Sequence, residues 1–411
     1  MQVINRTQLF RASCLSLLVT SLSFGIRAGI LNKFGSEFHL DKAQLGSITA
    51  TAFWGFPLAV VLGGVVVDII GMKRLLVLAF IFHLIGILLT IFSTGFWTLF
   101  ISTLTIGIAN GTVEAACNPL VTTLYPDNKT TKLNHFHLWF PGGIFIGTLI
   151  VLLFDKVGAG LNIREDLIWK IEVAVMLIPT LVYGYLFSKL DFPVTERVSA
   201  GVSTAGMYKA LWNPLFIFMF VCMFGTAITE LFTGQWIDVL LKNVTKNAIL
   251  ILTLDTGVMV IGRGFAKPVL KRFSPQVVLL MSSILASIGI YMLSTATNDL
   301  VFFAAIIFGM GVCFFWPTML GFVSTNLPKT GAIGLNLMGG IGMFAVSLYL
   351  MIMGPYYDNI VKQAGGDSSF AGQKLLQTTL IIPIILIVAF TGLVIYMRSR
   401  KKAEPLTAIA A

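Results

Sequence analysis

The chain has 411 residues, 56% of them hydrophobic and only 11% charged. A water-soluble domain carries roughly a quarter charged residues, so this composition excludes a soluble enzyme or binding module and places most of the surface in lipid. The formal net charge of +10 raises the question of a nucleic-acid partner, which the placement of the charges answers.

Twelve apolar segments follow one another, at about 9–31, 43–69, 74–93, 96–122, 134–154, 168–188, 211–240, 248–266, 276–296, 299–325, 331–354 and 375–397. As helices, each is long enough to cross a ~30 Å hydrocarbon core. The first is too long for the apolar region of a cleavable signal and lacks a small-residue cleavage site, so it is expected to stay in the chain. With the N-terminus in the cytoplasm, 17 of the 28 Lys and Arg fall on the cytoplasmic side and nine on the other, with Arg27 and Arg263 inside spans. That bias predicts both termini in the cytoplasm of a bacterial-type inner (plasma) membrane. The basic charge reports topology, and no nucleic-acid partner is expected.

Between spans 2 and 3 stands Gly64-x-x-x-Asp68-x-x-Gly71-x-Lys73-Arg74. It recurs in reduced form: Gly262, Lys271 and Arg272 stand 198 residues after Gly64, Lys73 and Arg74, as Gly309 does after Gly111 and Pro317 after Pro119. A constant offset between two apolar halves marks a duplicated membrane unit. The expected fold is therefore an all-α membrane protein, with twelve transmembrane helices in two six-helix bundles related by a pseudo-twofold axis. The bundles are expected over 1–190 and 211–398, joined by a cytoplasmic linker at 191–210 that carries Pro193, Glu196 and Arg197, with a basic tail over 399–411. In the repeated loop, glycines let helix ends approach and Asp68 can meet a helix N-terminus or a base. Lys73 and Arg74 can anchor at headgroups. These residues are expected to form a gate, with Arg263, Lys271 and Arg272 as its counterpart in the second half.

This pattern resembles the major facilitator superfamily over essentially the whole chain. Within it, Ala109-Asn110-Gly111-Thr112-Val113-Glu114-Ala115-Ala116-Cys117-Asn118-Pro119 is similar to helix 4 of the fucose permease (fucose–galactose–glucose:proton symporter) branch. Gly262-Arg263-Gly264-Phe265, followed by Lys271-Arg272-Phe273-Ser274-Pro275, resembles its helix 8–9 turn, Phe315-Trp316-Pro317-Thr318 its helix 10, and Glu230 with Gly234 its helix 7. The resemblance implies a twelve-helix transporter that takes up a sugar with a proton. That branch pairs its helix 4 carboxylate with an acid in helix 1, whereas span 1 here has no Asp or Glu and carries Arg27.

An ionisable group at a helix centre costs about 2.5–3.5 kcal/mol, so each should face a cavity or a partner. The deep ones are Arg27, Glu114, Glu230, Asp255 and Arg263. Glu114 has Asn110 and Asn118 at i−4 and i+4, an amide–carboxylate–amide face suited to sugar hydroxyls and to proton exchange. At 1.5 Å per residue, Arg27 and Glu230 lie roughly 9 and 6 Å outward of their span centres and Glu114 some 5 Å inward, which predicts an Arg27–Glu230 ion pair. Asp255 is the second proton-carrier candidate. Asn134, His137, Trp139, Gln235, Trp236 and Asn336 complete a candidate pocket of amides and indoles for a neutral polar solute.

His135 and His137 are two residues apart and cannot share a helix face, so no metal is expected. The four cysteines lie inside apolar segments and form no disulfide framework. No phosphate loop or nucleophile–base pair is present, so neither ATP, nor a cofactor, nor an enzyme activity is expected. The expected function is a monomeric secondary transporter of a small polar solute, a sugar, by alternating access with proton symport. The alternatives are efflux of an amphipathic compound, a non-coupled facilitator, or a membrane sensor on the same fold.

Overall fold

The computed structural model describes residues 4–234, 248–296 and 298–409. Among them every regular element is helical, as a bilayer demands, because a helix bonds its own backbone where no water can. Eleven helical segments are long and apolar enough to span: Arg6–Glu37, Gln44–Ile70, Met72–Ile91, Phe96–Leu124, Pro126–Gly160 and Glu165–Lys189, then Pro214–Phe232, Pro275–Thr295, Leu300–Asn326, Pro328–Gln363 and Ser369–Arg400. These are spans 1–6, 7 and 9–12. Span 8 is Ala248–Gly264, 17 residues beginning where the described chain resumes. Several helices outrun their apolar cores: span 1 reaches Glu37 and span 11 reaches Gln363. Their polar ends continue the helix beyond the hydrocarbon, which hydropathy alone does not mark.

Helix ends carry their own caps. The Asn5 side chain accepts from the Gln8 N–H at span 1, and Asp41 with Gln44 forms a reciprocal capping box at span 2. Span 2 stops at Gly71, whose φ of +86° is left-handed backbone that favours glycine, and span 3 starts at the next residue.

Small residues set the helix crossings. A Cβ built on Gly111 of span 4 would lie 2.2 Å from the Phe56 carbonyl oxygen of span 2. One built on Gly309 of span 10 would lie 3.0 Å from the Asp255 carbonyl oxygen of span 8. These glycines are the pair 198 residues apart, so both halves repeat one crossing. The halves meet along spans 5 and 8, where the Thr148 and Thr253 hydroxyls lie 3.3 Å apart, and on the side of the Gly64 turn and the linker. There Gly64 faces the Asn336 side chain, Gly340 faces Val61, and Gly321 lies on Thr130. Two short helices, Glu196–Ser199 and Thr204–Leu211, occupy the connecting segment.

Gly111→Ala forces a methyl into backbone and should cost on the order of 1–3 kcal/mol, lowering the unfolding temperature of the detergent-solubilised protein. Gly46 has nothing within 4 Å of the added methyl, so Gly46→Ala should hold or raise that temperature. Equal shifts for the two variants would refute close backbone contact as the role of Gly111.

Candidate functional site

Three prolines prepare the site. Pro119, Pro141 and Pro317 lie within spans 4, 5 and 10, and proline supplies no N–H. The carbonyls four residues earlier, on Ala115, His137 and Cys313, therefore lose their intrahelical donors. Two buried side chains replace them. Arg263 donates from Nη1 to the His137 oxygen at 2.7 Å and from Nε to the Cys313 oxygen at 2.6 Å. Asn336 Nδ2 donates to the Ala115 oxygen at 3.0 Å.

Arg263 has a third partner. Its Nη2 lies 2.8 Å from Glu230 Oε1, an ion pair whose side chains are 1% and 4% exposed. Glu230 sits in a single π-helical stretch, Ile228–Phe232, a distortion that recurs at functional sites. Across the divide, Glu114 Oε2 accepts from Asn118 Nδ2 at 3.3 Å, and Asn118 Oδ1 meets His137 Nε2 at 3.0 Å. With that amide assignment, Nε2 is the donor. A polar chain thus runs from Glu114 through Asn118 and His137 to Arg263 and Glu230, joining spans 4 and 5 to spans 8 and 7.

Glu114, His137, Glu230 and Arg263 line one small, tightly closed cavity, with Trp316, Phe56, Phe140, Leu231 and Met343 as its other walls. Two of its polar atoms, Trp316 Nε1 and Glu230 Oε2, are buried without a hydrogen-bond partner among the described residues. One donor and one acceptor are left open at the wall.

The expected Arg27–Glu230 pair is not formed; Glu230 is taken by Arg263. Long helical side chains lean toward the N-terminus of their helix, and spans 7 and 8 run in opposite directions. Glu230 and Arg263 therefore converge, which arithmetic on Cα depth misses. Arg263 lines the cavity. The Arg27 guanidinium instead stands 5.1 Å from the Phe24 ring.

Asn110 turns away from the cavity and bonds His83 at 2.8 Å and Ser23 at 3.1 Å, while His83 also meets the Tyr183 hydroxyl at 2.7 Å. Eight residues of helix turn about 80° beyond two full turns, enough to part Asn110 from Asn118. Asp255 does not line the cavity; its Oδ1 lies 2.7 Å from a Cβ built on Gly309 and has no hydrogen-bond partner among the described residues. Asn134 donates to the Thr130 carbonyl and to Thr318 Oγ1, at the span 5–span 10 contact. Trp139 is half-buried beside the cavity-lining Phe140, and its carbonyl accepts from Ser21. Asn336 closes the linker side. Gln235 and Trp236 lie outside the described residues.

At the loop, Asp68 accepts from Arg197 Nε at 2.7 Å and Thr195 Oγ1 at 2.5 Å, so its base comes from the linker. Lys73 donates to the Leu190 carbonyl at 2.9 Å, and Arg74 is exposed. Lys271 and Arg272 are exposed at the end of the short helix Ala266–Arg272. Gly262 packs on Cys313 within the second half, whereas Gly64 faces Asn336 across the divide. The sequence places Arg197 in the linker but marks no site role for it, nor for Lys129, Phe56 or Met343. Its proline spacing, by contrast, was legible.

The family profile of the Major Facilitator Superfamily matches residues 13–348. This chain belongs to that family. It is a transporter, not an enzyme. A curated relative, the TsgA homolog of Buchnera aphidicola subsp. Schizaphis graminum, is 23% identical over 410 residues, covering 98% of this chain and 99% of that protein. The fold is shared with the E. coli fucose:proton symporter FucP, at a TM-score of 0.69 and 15% identity over 92% of this chain and 98% of that one. It is also shared with the proton:xylose symporter XylE bound to 6-bromo-6-deoxy-D-glucose, at 0.73 and 12% identity over 93% and 96%.

Arg263→Ala strands the buried Glu230 carboxylate and two carbonyls, and should cost about 3–5 kcal/mol. Removing both charges, as Arg263→Met with Glu230→Leu, should recover part of that loss in thermal unfolding. A double variant less stable than Arg263→Ala would overturn the pairing.

Proposed function

We propose that this transporter moves a small polar solute of the sugar class by alternating access, coupled to protons. The observation that carries the reading is the cavity between the halves, with an unpaired donor on Trp316 and an unpaired acceptor on Glu230. An unmade buried hydrogen bond costs free energy, and a hydroxyl offers a donor and an acceptor to settle both. Trp316, Phe56 and Phe140 supply flat apolar faces for a sugar ring. The fold neighbours FucP, a fucose:proton symporter, and XylE, a proton:xylose symporter, support the same class.

Glu114 is the coupling residue in this reading. Glu230 is held by a guanidinium, whereas Glu114 has a single amide donor at 3.3 Å. Taking up a proton there breaks no ion pair. The orientation proposed is both termini and the linker in the cytoplasm of a bacterial-type inner membrane, with bundles over 1–190 and 211–398 and the monomer as the working unit. Efflux of an amphipathic compound fits less well, because four of the nine cavity-lining residues are ionisable.

The test is uptake of radiolabelled sugars into proteoliposomes with and without an imposed pH gradient. Wild type should concentrate its substrate only with the gradient. Glu114→Gln keeps the shape but cannot titrate, so it should lose accumulation and retain downhill exchange. Accumulation by Glu114→Gln would move coupling elsewhere. Flux indifferent to the gradient in wild type would leave facilitated diffusion.

A further inference from the structure

Four cations among the described residues are buried: Arg27, Lys129, Arg197 and Arg263. Three have a carboxylate. Lys129 meets Glu196 at 2.7 Å, Arg197 meets Asp68 at 2.7 Å and Arg263 meets Glu230 at 2.8 Å. Among the described residues Arg27 has none, and it is only 9% exposed, with no hydrogen-bond partner there for its Nη2. A buried charge without a counter-charge is costly, and in a membrane span it marks a solute path more often than a packing device.

Its position points the same way. Arg27 and Phe24 are three residues apart and share one face of span 1. The guanidinium lies 5.1 Å from the Phe24 ring, and that ring packs on Phe53 of span 2 and on Phe140 of span 5. Phe140 is a wall of the central cavity. Gly25 and Gly29, on the opposite side, pack on Ile144 and Val151 of span 5. Arg27 therefore stands one ring, Phe24, away from the cavity-wall residue Phe140.

We infer that Arg27 is an anion-binding position of the translocation path, and that the transported solute is a hydroxylated carboxylate, a sugar acid. The inference rests on the cavity reading above and specifies its substrate. A guanidinium presents two parallel N–H groups to a planar carboxylate. One unpaired cation balances one negative charge, which matches a carboxylate better than a phosphate dianion. The hydroxyls of the same solute reach the open groups on Trp316 and Glu230. A neutral sugar would leave Arg27 unpaired.

The experiment compares D-galacturonate with D-galactose, which share a ring and differ at C6. Full-length protein in proteoliposomes is assayed by counterflow, and in detergent by ligand-induced rise in unfolding temperature. In wild type the uronate should act at a concentration at least tenfold below that of the hexose. Arg27→Gln should remove that preference, a loss of about tenfold or more for a hydrogen bond to a charged group. Arg27→Lys should retain part of it. Trp316→Phe should weaken both ligands in every background. Equal action of the two ligands on wild type, or a uronate preference that survives Arg27→Gln, overturns the inference. Because the first comparison uses wild type alone, a misfolded variant cannot rescue it. Hexose transport impaired by Trp316→Phe and untouched by uronate would sink the acid and leave the cavity reading standing. Uronate binding lost in Arg27→Gln but unchanged in Trp316→Phe would do the reverse, and no response to either ligand would sink both.

Discussion

A helix in hydrocarbon cannot leave a carbonyl without a donor, and spans 4, 5 and 10 each contain a proline that creates such a carbonyl. Much of the centre of the molecule follows from how these are met. Arg263 supplies two of the three donors and spends its remaining fork on Glu230. The bonds to Cys313 and Glu230 stay within the second half, while the bond to His137 crosses to the first. One side chain therefore fixes the π-turn of span 7, the break of span 10 and the distance between the halves. Any motion that parts span 8 from span 5 must give up a charge-assisted hydrogen bond, worth about 1.5–3 kcal/mol, and leave the His137 carbonyl to a solute or to water.

The linker side is held differently. Lys129 bonds Glu196 of the linker and the Ser324 carbonyl of span 10 at once. Arg197 bonds Asp68 and packs against Gly331 at the start of span 11, 3.0 Å from the Cβ that glycine lacks. The chain between the bundles is thus a strap that contacts both halves, not a slack tether. Glu196 is 39% exposed, so its pair is screened and contributes little by itself. The structure combines dry links, Arg263–Glu230 at the membrane centre and Arg197–Asp68 at the linker, with a wetter one at Lys129–Glu196. Ionic strength acts on the second kind and leaves the first alone.

The fold was legible because its signals are one-dimensional. Apolar runs give the spans, and the 198-residue offset linking Gly111 to Gly309 reappears as one helix crossing used twice. Side-chain partners were less legible. Depth counted along straight rods chose Arg27 for Glu230, and failed because antiparallel helices lean their long side chains toward one another. Asn110 was placed with Asn118, and failed because the helix turns 100° per residue and eight residues do not close a face. Asp68 finds its base in the linker, and no local pattern announces a contact between residues 129 positions apart. The prolines are the instructive case. Subtracting four from Pro119, Pro141 and Pro317 names three orphan carbonyls from sequence alone, and the buried donors left to satisfy them are few.

The same accounting separates the groups that hold the fold from those that await a ligand. Some buried polar groups serve only each other: His83, Asn110 and Tyr183 form a closed set inside the first half. Three open atoms, Trp316 Nε1, Glu230 Oε2 and Arg27 Nη2, lie in the cavity wall or one ring from it. An empty cavity so lined is destabilised relative to an occupied one. A solute that fills it lowers the free energy of the closed arrangement more than that of an open one in which water already serves these groups. That difference is what alternating access requires. The solute must do more than bind; it must bind the occluded form best. The open groups on Trp316 and Glu230 in the cavity wall supply that preference.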